Sequence, residues 1–373
     1  MNRTIFLLFT ALLIISCTHP HTPIPGVPEI DVTIRFPERE INLADIATIT
    51  YVHLCTNNND FLFGGSIDFV TENRIIVTCH VTDYVLFFSI DGTPISRFNP
   101  VSQGPGGLPY GRIRMAYDEV TDEVFVFSMF LQGGVIQVYS SAGIHKRTLS
   151  LPLGTSIMQL DIFDDQLLIL FDMVNPFRTS ALHDTSYSNF FLICRTDGQI
   201  VYHVPIPGSN FPIVTPMIAS IVRHADGFLL CDIATDTVFF FCRNKTLTPV
   251  LWKTPPVSSM NPRLALTNTI DSRYFQFFEI INLDNWRPRR YVRDKQTGRI
   301  YRQNLTLPEF QGRRFTISPN LHNFSSIQSY IQLCLQGLKQ AYRQNRLSGE
   351  LRELVSTLNE WEDNDVIALI QFK

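Results

Sequence analysis

The chain has 373 residues, 45% hydrophobic and 17% charged, with 31 basic and 34 acidic side chains for a formal net charge of -3. Such an apolar content can bury a large core, and the near balance of charge excludes the polycationic surface that nucleic-acid binding requires. Beyond the N-terminus no apolar run approaches the length of a membrane span.

Met1 to Ser16 carries one basic residue, Arg3, then the apolar stretch Ile5 to Ile15, which is too short to cross a bilayer and has the form of a secretory signal peptide. It ends in Ile14-Ile15-Ser16-Cys17, which resembles the bacterial lipobox, so residues 1–16 are expected to be removed and Cys17 acylated. The following THPHTPIPGVPEI has four prolines and no period, and reads as an extended tether over residues 17–30. The membrane, through this lipid anchor, is the first expected partner. The expected location is the cell envelope, at the outer membrane. Its periplasmic side is favoured, because Thr18 to Pro25 lacks the acidic residues that mark surface-exposed lipoproteins in some bacteria.

Residues 31–373 read as one domain built from a repeat. One unit, an apolar run, a tight turn and another strand, recurs as VLFFSIDGTPISRF, VIQVYSSAGIHKRTL, FFLICRTDGQIVYHV, VFFFCRNKTLTPVLW and RRYVRDKQTGRIYRQ. Its turn glycines, Gly92, Gly143, Gly198 and Gly298, are spaced by 51, 55 and 100, with Asn244-Lys245 at the missing turn. A second hairpin precedes it in each period: SIDFVTENRIIVTC, RMAYDEVTDEVFVFS, MQLDIFDDQLLILF and IVRHADGFLLCD align on Asn73, Asp122, Asp165 and Asp226. Two hairpins in about 50 residues make one propeller blade. Five blades are countable, and ATITYVHLC near residue 50 with DVIALIQFK at the C-terminus supplies strands for a sixth. The expected fold is all-β: a six-bladed β-propeller of four-stranded antiparallel blades.

Between blades one and two lies SQGPGGLPYG; it contains neither G-K-[ST] nor G-x-G-x-x-G and is followed by a strand, so it reads as a structural loop. A small helical insertion, about residues 322–361, precedes the closing strand. In SSIQSYIQLCLQGLKQAYR, Ile327, Ile331, Cys334, Leu335, Leu338 and Tyr342 share a helical face, and a second short helix follows Ser348. Cys231 and Cys242 flank a hairpin, leaving a cross-strand disulfide open.

With the lipobox and blades in view, ITYVHLCTNNN, SQGPGGLPYGRIRMAYDEVTDEVFVFS, RDKQTGRIY and LRELVSTLNEWEDNDVIALIQFK resemble the six-bladed β-propeller lipoproteins of Bacteroidetes, allied to NHL and TolB-like propellers. The resemblance implies the fold and an envelope location, with some members working beside polysaccharide-uptake machinery. That family's loop is usually G-x-G-P-G-E followed by an aromatic residue; here Ser102 and Gly107 replace the first Gly and the Glu.

Neither G-x-S-x-G nor H-E-x-x-H occurs. A propeller can still converge side chains from several blades on its axis. Asp68, Tyr117, Asp161 and His224 lie on or just after first strands, and Asp68, Asp161 and His224 are candidate ligands of a divalent cation such as calcium. Trp286 to Arg314 holds nine Lys or Arg residues against Asp294 and Glu309. Within it Trp286, Arg287, Arg289, Arg290, Tyr291 and Arg293 are a candidate surface for a glycan or an envelope protein partner. The leading expectation is a non-enzymatic binding or scaffold protein without a cofactor. The alternative is a metal-dependent NHL-like hydrolase or lyase.

Overall fold

Continuous apolar runs such as Glu123–Ser128 and Leu167–Asp172 need cover on both faces, and stacking twisted sheets around an axis supplies it. The structure, a computed structural model, describes residues 24–57, 59–102, 104, 106–109, 113–128, 134–152, 155–172, 189–206, 220–317 and 328–373. Six sheets form a six-bladed β-propeller, with first strands in contact from blade one through blade five. Blade one comprises Gly65–Val70, Arg74–Cys79, Val85–Ser89 and Pro94–Phe98; blade two comprises Ile113–Asp118, Glu123–Ser128, Val135–Tyr139 and His145–Ser150. Blade three follows with Ile157–Ile162, Leu167–Asp172, Phe190–Cys194 and Ile200–His203, and blade four with Ile221–His224, Gly227–Cys231, Thr237–Cys242 and Leu247–Thr254. Blade five is Leu264–Asp271, Phe275–Asn282, Arg287–Asp294 and Ile300–Thr306.

The second strands are buried almost throughout, whereas outer strands such as Ile200–His203 alternate with solvent. Phe87, Phe125, Phe163 and Phe228 are fully buried in one cluster spanning blades one to four, each stabilising the fold by roughly 1.5–3 kcal/mol. The predicted turns recur as a set: Gly92, Gly143, Gly198, Lys245 and Gly298 have φ of 90°, 80°, 82°, 67° and 70°. Asx side chains brace them, with Asp91, Asp197 and Asn244 accepting from the amides of Thr93, Gln199 and Thr246 at 3.0, 2.9 and 3.0 Å.

The described strands of blade six are, in order, Gln328–Leu333, Val366–Phe372 and Ala47–His53. N- and C-terminal strands therefore close the ring as the sequence predicts, with Phe372 opposite Ala47 and Val366 opposite His53. Before this closure the N-terminal segment makes two contacts that hydropathy does not reveal. Glu29–Asp31 pairs in parallel with the outer strand of blade four and Glu38–Asn42 with that of blade five, covering two sheet edges. Ile30, assigned to the tether by sequence, is completely buried. A short helix, α1 (Leu43–Ile46), capped by the Asn42 side chain, leads into blade six.

Two helices, α2 (Leu335–Arg343) and α3 (Gly349–Thr357), lie between Gln328–Leu333 and Val366–Phe372. They pack with Phe310 and Phe315 through Leu338, Ala341, Leu351 and Val355. The first helix is shorter than its apolar pattern suggested. Ser329, Ile331 and Leu333 are buried at period two, so 328–333 is a strand and the helix begins at Leu335. Ile327 lies outside the described residues.

Cys231 and Cys242 do not form a disulfide with each other. Ladder register explains this, since Cys242 opposes Gly227 and Cys231 opposes Val238, about 13 Å apart along the hairpin. The described part of the GPGG loop is closed on itself: Ser102 donates to Leu108 O at 2.9 Å, Leu108 to Pro100 O at 2.8 Å and Gly107 to Gly104 O at 3.0 Å. Those amides are engaged, as a structural loop requires.

Candidate functional site

First strands carry acidic turn residues at their ends, and the propeller brings these ends together. Val70, Thr71 and Glu72 of blade one, Tyr117 to Val120 of blade two, Ile162 to Asp164 of blade three, Arg223 and Arg243 of blade four, and Gln328 and Gln371 of blade six line a depression of about 830 Å³.

Half of the charged residues that line it are held in ion pairs. The buried Arg195 donates to Asp118 Oδ2 at 2.6 Å, to Glu123 Oε2 at 3.2 Å and to the Asp164 carbonyl at 3.1 Å, tying blades two and three. Burial works to raise the Asp118 pKa, but hydrogen bonds from Thr121 and Arg195 outweigh it and hold the carboxyl below its ordinary value. Arg74 meets Glu119 at 3.6 Å across blades one and two. Arg243 makes no ion pair among the described residues; its guanidinium lies over Phe163 and Phe228, 5.4 and 4.9 Å from the ring centroids. Burial lowers its pKa. Tyr117, 2% exposed, has its pKa pushed up to about 12 by burial, so it stays a neutral phenol.

The three proposed cation ligands do not converge. Asp161 is completely buried and bound by Arg223, whose Nε lies 3.3 Å from Oδ2 while Nη2 donates to Oδ1. The guanidinium thus satisfies the carboxylate that a cation would need. His224 follows Arg223 on the same strand, so its side chain points to the opposite face, edge-on to Phe240 at 5.1 Å. Asp68 is buried in blade one, at the bulge between Ile67 and Phe69. Among the described residues no three His, Cys, Asp or Glu side chains are grouped to hold an ion.

The basic segment is divided by position along its strand, exposed over Arg287 to Arg289 and buried at Tyr291 and Val292. Tyr291 is core, stacked on Phe278 at 5.6 Å and edge-on to Phe36 at 5.3 Å. Arg290 donates to Glu279 at 2.7 Å, and burial lowers the Arg293 pKa. Trp286, Arg287 and Arg289 are exposed at a hairpin tip. Cys17 lies outside the described residues.

Sequence reasoning missed Arg243, Arg195, Asp118 and Asp164 as site residues. A recurrent acid at each first-strand end, Glu72, Asp118 and Asp164, was the available signal, but turn chemistry alone explains those residues equally well.

The Glu279–Arg290 pair carries a pH dependence. Burial pushes the Glu279 pKa up to about 7, outweighing Arg290. The folded protein therefore keeps a proton that the unfolded chain releases above pH ~4.5, and stability falls as pH rises from there toward 7. The expected loss is on the order of 3 kcal/mol, and Glu279→Gln should flatten that part of a melting-temperature profile taken from pH 4.5 to 8. An unchanged slope in the variant would exclude this group as the source.

No protein-family model matches the chain, and no curated protein sequence is similar to it. Among solved structures, a Bacteroides fragilis protein assigned as exported aligns over 93% of this chain and 99% of its own, at 14% identity and a TM-score of 0.67. TolB from Acinetobacter baumannii covers 84% of this chain and 68% of its own, at 10% identity and a TM-score of 0.39. The six-bladed Aleuria aurantia lectin, described with a fucose recognition mode, covers 61% and 72%, at 13% identity and a TM-score of 0.33. What the chain shares with the Bacteroides fragilis protein is its fold, here a six-bladed β-propeller.

Proposed function

We propose that this protein is a lipid-anchored propeller of the cell envelope that binds a neutral carbohydrate in the central depression without transforming it. The observation that carries this reading is the depression itself: concave, built from five blades, with Asp118, Glu119 and Arg223 already in ion pairs. Asp118 is neutralised by Arg195, and Arg223 is held by the buried Asp161, so both lining groups are rigidly placed, which suits hydrogen bonding to hydroxyls rather than capture of an ion. Arg243, over two phenyl rings and without an ion pair among the described residues, has one hydrogen bond, from Nη1 to the Ile162 carbonyl, and its other N–H groups can take a sugar oxygen. The signal-peptide and lipobox pattern supports export and anchoring through Cys17, and the Bacteroides fragilis protein assigned as exported agrees with it.

The test is calorimetric titration of the mature chain with neutral oligosaccharides, against Arg243→Ala. A hydrogen bond from a charged donor is worth about 1.5–3 kcal/mol, so the variant should bind ten- to a hundredfold more weakly. Its melting temperature should barely move, because an exposed cation–π contact contributes only about 0.5–1 kcal/mol. Equal affinity in the two proteins would remove the depression as the site.

A further inference from the structure

We propose that the hairpin tip formed by Trp286, Arg287 and Arg289 is a second binding surface, for polysaccharide chains bearing sulfate or carboxylate groups, independent of the central depression. The tip joins the second and third strands of blade five, Phe275–Asn282 and Arg287–Asp294. In an antiparallel four-stranded blade this turn leaves the sheet at the end opposite to the first-to-second turn. The depression is lined by first-strand ends in blades one to three. The two sites therefore belong to opposite ends of the blades.

Three observations point to a ligand. Trp286 sits at φ 57°, a left-handed conformation that costs a side-chain-bearing residue about 1–2 kcal/mol and that turns usually give to Gly or Asn. The indole is nonetheless 47% exposed, so much of its surface is open to a ligand. The strained backbone is held from both sides: the Trp286 amide donates to Asn282 O at 2.7 Å, and the Arg287 amide to Asn285 Oδ1 at 3.1 Å. A flat apolar plane is thus presented in a fixed direction.

Arg287 and Arg289 are exposed and make no ion pair among the described residues, whereas their neighbours Arg290 and Arg263 are bound by Glu279 and Asp284. Being two apart on a strand they share one side, with backbones about 6.6–6.8 Å apart. Two guanidinium forks beside an indole match a ring that carries an anion: each fork takes a sulfate or carboxylate bidentately, and the indole covers the ring's C–H face. The rigid aromatic plane favours a saccharide over an acidic peptide, whose carboxylates need only the cations.

Binding of the mature chain to dextran sulfate, polygalacturonate, neutral dextran and polyglutamate tests this. One or both acidic polysaccharides should bind, identifying sulfate or carboxylate as the preferred anion, and neutral dextran should not compete. Arg287→Glu with Arg289→Glu should weaken that binding at least tenfold. Trp286→Gly should weaken it too, with the left-handed backbone preserved because glycine adopts it freely; melting curves taken on the same samples separate loss of binding from loss of fold. Arg243→Ala should leave it unchanged, so failure of the central site and failure of this one are separable. The proposal falls if no polyanion binds, if both hairpin variants bind like the parent, or if polyglutamate binds as tightly and without dependence on Trp286.

Discussion

Asp161→Ala is expected to destabilise the protein by about 3 kcal/mol, at the lower end of the 3–5 kcal/mol typical of a broken buried ion pair. Asp161 is completely buried and Arg223 is 28% exposed at its side chain, so water recovers part of the stranded guanidinium. The damage should come less from the lost attraction than from that stranded charge. Asp161→Asn, which retains an acceptor oxygen, should cost less, and Asp161→Ala with Arg223→Met should recover much of the loss by removing both charges. Urea denaturation of the three variants measures this directly. A cost below about 1 kcal/mol for the alanine variant would mean that the pair is solvated and adds little. The same geometry predicts that calcium leaves the melting temperature of the parent unchanged, because the carboxylate is occupied by Arg223 and His224 faces away.

Gly92→Ala is expected to cost as much or more, roughly 3 kcal/mol or above, for a reason local to ring closure. Gly92 has φ 90°, and a Cβ added there would lie 2.0 Å from the carbonyl oxygen of His53. That oxygen is backbone and cannot swing aside as a side chain would. Gly92 O also accepts from the Cys55 amide at 3.0 Å, so the turn joins the N-terminal closing strand to blade one. Gly298→Ala is the control: its φ is 70° but nothing lies within 4 Å, so it should cost only about 1 kcal/mol of backbone strain. Hydrogen exchange should show Thr48 to His53 opening first in Gly92→Ala. Equal stability of the two alanine variants would show that the seam yields and that the close approach does not matter.

Much of the architecture could be read along the chain, whereas little of the site could. The turn set at Gly92, Gly143, Gly198, Lys245 and Gly298 is periodic because each blade needs the same left-handed residue at the same place. The site depends on which residues of different blades meet. Arg223 and Asp161 are 62 residues apart, and Arg195 and Asp118 are 77 apart. No linear spacing marks such pairs. Tyr291 shows the limit on a finer scale: four positions beyond exposed Arg287 on the same strand, it is buried against Phe278 because the adjoining blade covers the strand there.

By itself the sequence determined the β class, the repeat, the number of blades and the terminal strands that close them, because strand alternation and turn chemistry act between residues a few positions apart. Tertiary structure decided the rest. It made 328–333 a strand where an apolar pattern also fitted a helix, since pairing with Val366–Phe372 satisfies that backbone. It placed Glu29–Asp31 and Glu38–Asn42 on two blade edges, gave Asp161 to Arg223 rather than to an ion, and left Arg243 on its phenyl rings facing the depression. Each of those outcomes depends on register between segments distant in sequence, and a one-residue change of register turns a side chain from one face of its sheet to the other.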